Sequence, residues 1–231
     1  MTQAIDEVVR ANRALAAAGQ SDLIWGHASV RDPAGRGVWM KAAGWGFEEV
    51  TAERVVLVSD DGEVLAGTGA RHIEYPIHSE VMKRRPDVGA VVHTHALSAV
   101  AFASLDVPLR ALSHDGAWFA EPDIPRFRAT GSLVRTAELG TALACAIGDG
   151  PGCLIPNHGL VTVGASVAEA VMGAVVLERA CKVQLSAMAA GGPQLWSDKE
   201  EVELKQREVW TPEQVAAGFD YLCRAADAGR S

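Results

Sequence analysis

The chain has 231 residues, 48% of them hydrophobic and 22% charged, so it is long enough to bury the core of one α/β domain, expected over residues 1–231. Its net charge of −8 argues against long-range attraction to nucleic acid or to an anionic membrane. No apolar run reaches the length of a membrane span, and Asp6 and Glu7 stand where a secretory signal would be apolar. We therefore expect a cytoplasmic protein with no nucleic-acid or membrane partner. Its four cysteines lack CxxC spacing and are expected to be small buried residues without a function.

The first third of the chain predicts one helix followed by antiparallel strands. Apolar residues at helical spacing predict a helix from about Ile5 to Ala16, and Gly19 suits the left-handed conformation that ends helices. Short apolar runs separated by turn signals then predict four strands. These strands cover residues 27–31, 38–41, 55–59 and 63–66.

The rest of the chain mixes helices and strands without strict alternation. Helices are predicted over 75–85, 97–105, 128–147, about 166–188 and from Thr211 onward, and strands over 89–95, 153–156 and 160–163. Ser166 and Glu169 form a capping-box signature, and residues 191–199 read as a loop. This mixture predicts a central sheet covered by helices, in an α/β or α+β layered fold.

Two histidines on the strand at 89–95 are candidates for a metal site. Successive side chains alternate between the faces of a strand, so His93 and His95 project from the same side and Thr94 from the other. Paired imidazoles suit a borderline divalent metal ion such as Zn²⁺, Mn²⁺, Fe²⁺ or Co²⁺. His158, which interrupts two apolar strands, is the best candidate for a third ligand. The spacing alone is a weak motif, and a structural role for the pair stays open.

Three segments carry a resemblance to a known family. They are residues 73–78 (IEYPIH), 85–96 (RPDVGAVVHTHA) and 157–160 (NHGL). Together, and in this order, they resemble the class II aldolase/adducin family, which includes sugar-phosphate aldolases, an epimerase and several decarboxylases. The resemblance extends from the first helix to about Met188. It implies a three-layer α/β/α fold with a central, largely antiparallel sheet, and commonly a homotetramer with active sites between subunits.

The same resemblance implies roles for individual residues. It implies a divalent metal ion on His93, His95 and His158, and a catalytic acid/base at Glu74. An alternative for Glu74 is a hydrogen bond that only orients a ligand histidine. His78, one helical turn after Glu74, is more simply read as a satisfied core or surface histidine.

Segments that hold a phosphate in the sugar-phosphate members differ in this chain. Residues 26–29 (GHAS), 41–44 (KAAG) and 71–74 (RHIE) stand where those enzymes use hydroxyl and amide donors. The planar guanidinium of Arg71 can instead donate two parallel hydrogen bonds to a carboxylate. Three other segments are similar to the corresponding segments of enzymes that decarboxylate dihydroxyphthalate or hydroxypyridine dicarboxylate. They are residues 26–33, 113–116 and 122–127. The resemblance is therefore closest to the decarboxylase branch, whose members act in the catabolism of aromatic compounds.

Further polar residues are candidates for binding the substrate or for relaying protons. The substrate-binding candidates are Arg71, His72, His27 and Ser29, and the candidates for a proton relay are His114 and Asp115. Other readings stay open. Arg71 and His72 are equally well explained as solvated charge before a helix, and Ser29 as a local hydrogen bond to the backbone. Residues 114–115 are equally well explained as a structural turn.

The favoured function is a metal-dependent lyase that decarboxylates a small aromatic or enolisable carboxylate such as a dihydroxyphthalate. Decarboxylation and retro-aldol cleavage both leave electron density on carbon, which a bound cation stabilises. A class II aldolase acting on a hydroxy-carbonyl substrate is therefore the first alternative. A non-catalytic, adducin-like assembly domain is the second, although the chain keeps all three histidines and Glu74. The expected partners are a small-molecule carboxylate and further copies of the same chain.

Overall fold

One antiparallel sheet organises the protein in the computed structural model, which describes residues 2–229. The strand order is β4-β3-β2-β1-β5-β7-β6, and each neighbouring pair is antiparallel. The strands are β1 (His27–Arg31), β2 (Val38–Lys41), β3 (Val55–Val58), β4 (Val64–Ala66), β5 (Ala90–Thr94), β6 (Gly152–Ile155) and β7 (Gly159–Gly164). This sheet confirms the predicted strands to within one or two residues at each end.

Helices cover both faces of the sheet. They are α1 (Thr2–Ala17), α2 (Pro76–Arg84), α3 (Leu97–Ala103), α4 (His114–Ala117), α5 (Ala137–Ile147), α6 (Val167–Ala189), α7 (Lys199–Glu208) and α8 (Pro212–Ala228), with short 3₁₀ turns at Phe47–Glu49 and Ala52–Arg54. α1, α3, α6 and α8 lie on one side of the sheet, and α2 and α5 on the other. The arrangement confirms the predicted three-layer α/β/α fold.

The strands are apolar on both faces because each face has its own core. Along β2, Trp39 packs into the core beneath α1 and α6, while its neighbours Val38 and Met40 pack into the core beneath α2 and α5. The same alternation recurs in β3 at Val56 and Leu57. Burial on both faces explains why these strands read as continuous apolar runs rather than as alternating ones.

The structure differs from the predicted helices at the start of α5 and at α7, and it adds the four-residue helix α4. The helix predicted over 128–147 begins only at Ala137, where the Thr136 hydroxyl caps it by accepting from Leu139 N–H, so its predicted start is wrong. α7 is absent from the sequence prediction, since Val202 is its single buried residue and its apolar periodicity is weak. The start of α6 is as predicted, with the Ser166 hydroxyl accepting from Glu169 N–H. None of the described helices is long and apolar enough to cross a membrane.

Candidate metal centre

The pairing of the strands brings His27, His93 and His158 to one end of the sheet. β1 pairs with β5 so that His27 lies opposite His93. His158 lies in the turn between β6 and β7, and β7 in turn pairs with β5. Gly159 permits a close approach here, because a Cβ at this position would lie 2.3 Å from the Thr94 carbonyl oxygen. The turn therefore delivers His158 directly beside the end of β5.

Three imidazoles and one carboxylate converge at this end. The candidate ligand atoms of Glu74, His93, His95 and His158 all lie within 4.8 Å of one another. Nε2 of His93 lies 3.1 Å from Nε2 of His95. Nε2 of His158 lies 3.6 Å from Glu74 Oε1, and Nε2 of His93 lies 3.9 Å from Glu74 Oε2. The structure thus brings together the three predicted ligands and the predicted acid/base.

Hydrogen bonds to Nδ1 of His93 and of His95 orient these rings so that their Nε2 atoms face the cluster. Nδ1 of His93 lies 2.9 Å from the Leu160 carbonyl oxygen, which can only accept, so this Nδ1 carries the hydrogen. Nδ1 of His95 lies 2.8 Å from Asp22 Oδ2, which favours the same tautomer. Burial lowers the pKa of His93 well below its usual range, so the ring is neutral at neutral pH. Neutral imidazoles with inward Nε2 lone pairs fit a borderline divalent ion.

Glu74 is buried just before α2, and its two carboxylate oxygens have different surroundings. Oε1 accepts a 2.8 Å hydrogen bond from Val134 N–H, while Oε2 lies 4.0 Å from Nε2 of His27. Burial raises the pKa of Glu74, but the facing imidazoles of His158 and His93 outweigh it and lower this pKa to about 2. Glu74 is therefore a carboxylate at neutral pH, able to accept a proton through Oε2.

A second set of buried polar side chains adjoins this cluster. His78 Nε2 lies 2.5 Å from His27 Nδ1, and His78 Nδ1 lies 2.6 Å from the Ser29 hydroxyl. The His72 ring packs 4.0 Å from the His27 ring. Among the described residues, neither His27 Nε2 nor His72 Nδ1 has a hydrogen-bond partner. Three of the four substrate-binding candidates thus lie together, and His78 joins two of them.

An open cleft of about 440 Å³ leads to the cluster. Its polar lining residues are His72, Glu74, Ser132, His95, Asn157 and His158, and the others are Trp25, Ile73, Gly131 and Leu133. Trp25, Ile73 and Leu133 are all nearly half exposed. A cleft lined by both polar and apolar side chains suits a small molecule with an apolar body and oxygen substituents.

The remaining candidates lie elsewhere in the chain. Arg71 Nε donates a 2.5 Å hydrogen bond to the Gly62 carbonyl oxygen, and its guanidinium stacks on Tyr75. Arg71 does not line the cleft, and neither do His114 and Asp115 in α4. Asp115 instead accepts from Arg179 Nε at 3.0 Å. The structure does not bring these three residues to the cluster within one chain, and their roles stay predictions.

Two residues near the cluster were not predicted from the sequence. Asp22 lies in an irregular segment, and nothing local marks it as the partner of a histidine 73 positions later. Lys41 is fully buried, and its ammonium donates to the carbonyl oxygens of Ile24, at 2.7 Å, and Trp45. Burial lowers the pKa of Lys41 to about 8. A lysine within an apolar strand was the available signal, since lysines are seldom fully buried.

Comparisons with known proteins place the chain among relatives by sequence and by fold. The profile described as "Class II Aldolase and Adducin N-terminal domain" matches residues 6–185. The meiotically up-regulated gene 14 protein of Schizosaccharomyces pombe is 30% identical over 171 residues, which cover 69% of this chain and 63%, under two thirds, of that protein. The 3,4-dihydroxyphthalate decarboxylase of Terrabacter sp. is 33% identical over 199 residues, covering 81% of this chain and 82% of that protein. The structure of L-fuculose 1-phosphate aldolase from Glaciozyma antarctica PI12 superposes with a TM-score of 0.85 at 27% identity, covering 98% of this chain and 89% of that chain.

Proposed function

Because the chain belongs to the class II aldolase/adducin family, we propose that it is a metal-dependent carbon–carbon lyase that decarboxylates a small aromatic or enolisable dicarboxylate, such as a dihydroxyphthalate. The observation that carries this proposal is the convergence of three imidazole Nε2 atoms and the Glu74 carboxylate beside an open cleft, which Glu74, His95 and His158 line. The similarity to a dihydroxyphthalate decarboxylase supports the choice of reaction.

His93, His95 and His158 are the residues that would hold the metal ion. When bound, a divalent ion supplies Lewis-acid stabilisation of the negative charge that develops as the carbon–carbon bond breaks. The protein fixes the His93 and His95 rings from outside, through the Leu160 carbonyl and the Asp22 carboxylate. Zn²⁺, Mn²⁺, Fe²⁺ and Co²⁺ all remain compatible with a donor set of three imidazoles.

Glu74 would move the proton that decarboxylation requires. It starts as a carboxylate, because the pKa of Glu74 is lowered to about 2, so it first accepts a proton from a substrate hydroxyl. Oε1 is already occupied by Val134 N–H, which leaves Oε2 to hold this proton. Carbon dioxide then leaves without the bonding electron pair, which stays on the ring carbon. Glu74 returns the proton to that carbon, and the product hydroxyl recovers its proton from water.

The cleft supports a planar carboxylate as the substrate. The half-exposed side chains of Trp25, Ile73 and Leu133 offer apolar contact to a ring. Within residues 2–229, His72 Nδ1 and His27 Nε2 are buried nitrogens without a hydrogen-bond partner, which makes them candidates for the polar substituents of that ring. His27 does not line the cleft itself, but its ring packs 4.0 Å from that of His72 and its Nε2 lies 4.0 Å from Glu74 Oε2, and both of these residues line it.

A class II aldolase activity is the second candidate. The superposition on L-fuculose 1-phosphate aldolase supports it, and Glu74 as a carboxylate is suited to remove the alcohol proton that starts retro-aldol cleavage. An assembly role without catalysis is less well supported, because it provides no reason to bury an ionised carboxylate among three histidines. For either enzyme, the family resemblance leads us to propose a homotetramer.

The proposal is tested by incubating protein reconstituted with Zn²⁺ or Mn²⁺ with 3,4-dihydroxyphthalate. We expect release of CO₂ without an aldehyde, loss of the activity after dialysis against a chelator, and recovery when the metal is restored. A His93→Ala variant should lose both the bound metal and the activity. Wild-type protein that binds no metal ion, or metal-loaded protein that releases aldehyde from a hydroxy-carbonyl substrate but no CO₂ from any dihydroxyphthalate, would contradict the proposal.

A further inference from the structure

Ser29, His78 and His27 form a continuous buried chain of hydrogen bonds that ends beside Glu74. The Ser29 hydroxyl lies 2.6 Å from His78 Nδ1, and His78 Nε2 lies 2.5 Å from His27 Nδ1. All three side chains are at most 1% exposed. At the far end, His27 Nε2 lies 4.0 Å from Glu74 Oε2 and has no hydrogen-bond partner among residues 2–229. The chain therefore connects a buried serine to a buried nitrogen that has no described partner, beside the candidate metal centre.

The hydroxyl of Ser29 sets the direction of this chain. In the described part of the protein, its one hydrogen-bond partner is His78. If the hydroxyl donates to His78 Nδ1, then His78 Nε2–H donates to His27 Nδ1, and His27 carries its hydrogen on Nε2. The opposite direction would leave the Ser29 O–H without an acceptor in a dry interior, which is costly. The first direction satisfies every donor in the chain except the terminal Nε2–H of His27.

His78 can carry a hydrogen on only one of its two ring nitrogens at neutral pH. Burial lowers the pKa of His78 to about 3, so this ring carries a single hydrogen and cannot donate to both neighbours. The direction set at the Ser29 hydroxyl therefore fixes the tautomers of both His78 and His27.

We propose that Ser29 and His78 are positioning residues that fix His27 as an Nε2–H donor to a carboxylate oxygen of the substrate. The substrate part of this inference rests on the proposed function, whereas the tautomer rests on the hydrogen-bond chain alone. Nε2 of His27 then has no lone pair for a cation. Although ligand atoms of His27, His72 and Glu74 lie within 4.8 Å of one another, they form a site for a substrate oxygen rather than for a second metal ion.

The tautomer is tested by solid-state ¹⁵N NMR of zinc-loaded protein labelled in histidine. A His27→Gln variant identifies the signals of His27 by their absence. We expect Nε2 of His27 to be protonated and Nδ1 to be unprotonated and hydrogen-bonded. An unprotonated Nε2 in the wild-type protein would overturn the inference, whatever the enzyme's reaction. This measurement requires no turnover, so its failure is distinguishable from a failure to release CO₂.

The substrate contact is tested with phthalate as a probe, by calorimetry on zinc-loaded protein of verified metal content. His78→Leu removes the donor to His27 Nδ1 and should weaken phthalate binding about tenfold or more. His78→Gln keeps an N–H near that position and should bind within about threefold of wild type. Ser79→Ala is the matched control, because it removes from the same helix a buried hydroxyl that has no hydrogen-bond partner in the described part of the chain. Equal weakening by Leu and Gln, an unchanged affinity in His78→Leu, or no binding to the wild type would overturn this contact.

Discussion

Asp22 Oδ2 lies 2.8 Å from Nδ1 of His95, and this contact joins an irregular segment after α1 to a histidine of the candidate metal centre. The Asp22 side chain is 39% exposed, so the contact is reached by solvent on one side. Its position on the outer nitrogen of the ring suits Asp22 to orient the proposed ligand His95 rather than to bind the ion itself.

We expect Asp22→Ala to weaken zinc binding about 10- to 100-fold, because the His95 ring loses the partner that fixes its orientation and tautomer. Competition with a chromogenic chelator measures the affinity. Asp106→Ala is the control, because Asp106 is an exposed carboxylate that pairs with Arg128. Equal zinc affinity in Asp22→Ala and wild type would show that the contact does not support metal binding.

Glu74→Gln should lower kcat about 10²- to 10⁴-fold while leaving the zinc content unchanged, because it removes the proton acceptor but none of the three imidazoles. Rates of CO₂ release and elemental analysis measure the two effects. Glu80→Gln on α2 is the control, because the Glu80 carboxylate contacts Lys83 and Thr141 instead of the cluster. Loss of zinc from Glu74→Gln would identify Glu74 as a ligand and contradict its assignment as acid/base alone.

Metal-free protein should become less stable as the pH falls from about 6.5 towards 4. Burial lowers the pKa of His27, His72, His78 and His93, to about 4 for His72 and about 3 for His78. Between the ordinary pKa near 6.5 and these lowered values, the unfolded chain binds protons that the folded protein does not. The stability contributed by each neutral histidine is complete above pH 6.5 and is lost on acidification.

Urea unfolding in the presence of a chelator measures this pH dependence. Each buried histidine contributes a slope of at most about 1.4 kcal/mol per pH unit within its window. His72→Gln should flatten the dependence, because one titrating group is removed. A free energy of unfolding that stays constant between pH 7 and pH 5 would show that these histidines are not held neutral.

The four thiols should react at very different rates with a thiol reagent in the native protein. Cys145 is exposed, whereas burial raises the pKa of Cys153 to about 12 and also raises the pKa of Cys181. Cys145 should therefore react first, and Cys153 and Cys181 only on unfolding. Cys145→Ser should remove the fast phase, and a fast phase that persists in this variant would contradict the assignment. The exposure of Cys145 and the intermediate exposure of Cys223 also correct the expectation that all four cysteines are buried.

The parts of the site that the sequence predicts are those set by local geometry. His93 and His95 converge because side chains alternate along an extended chain, and this holds although β5 ends at Thr94. The interruption of two apolar strands at His158 was similarly visible in the sequence. The antiparallel sheet was predictable because its strands are short, apolar and separated by turn residues.

The parts that escaped prediction depend on contacts between distant segments. Arg71 was expected to face a substrate. Its guanidinium instead donates a hydrogen bond to the Gly62 carbonyl oxygen, nine residues earlier, and stacks on the ring of Tyr75. Residues 128–136 were expected to be helical, but Val134 N–H is drawn to the Glu74 carboxylate. Neither partner can be recognised from spacing along the chain, since both are fixed by tertiary packing.

Because Gly159 lies close to the Thr94 carbonyl oxygen, the spacing of the candidate metal centre depends on a residue that is not one of its proposed ligands. A methyl group at 159 would lie 2.3 Å from that oxygen and 3.1 Å from Cδ2 of His95, so strand β7 would have to shift. The shift would alter the spacing between His158 and the two histidines of β5 without replacing any of them. If a metal ion binds here as proposed, its selection by ionic radius is open to adjustment by protein engineering at Gly159, a position that binds no ion itself.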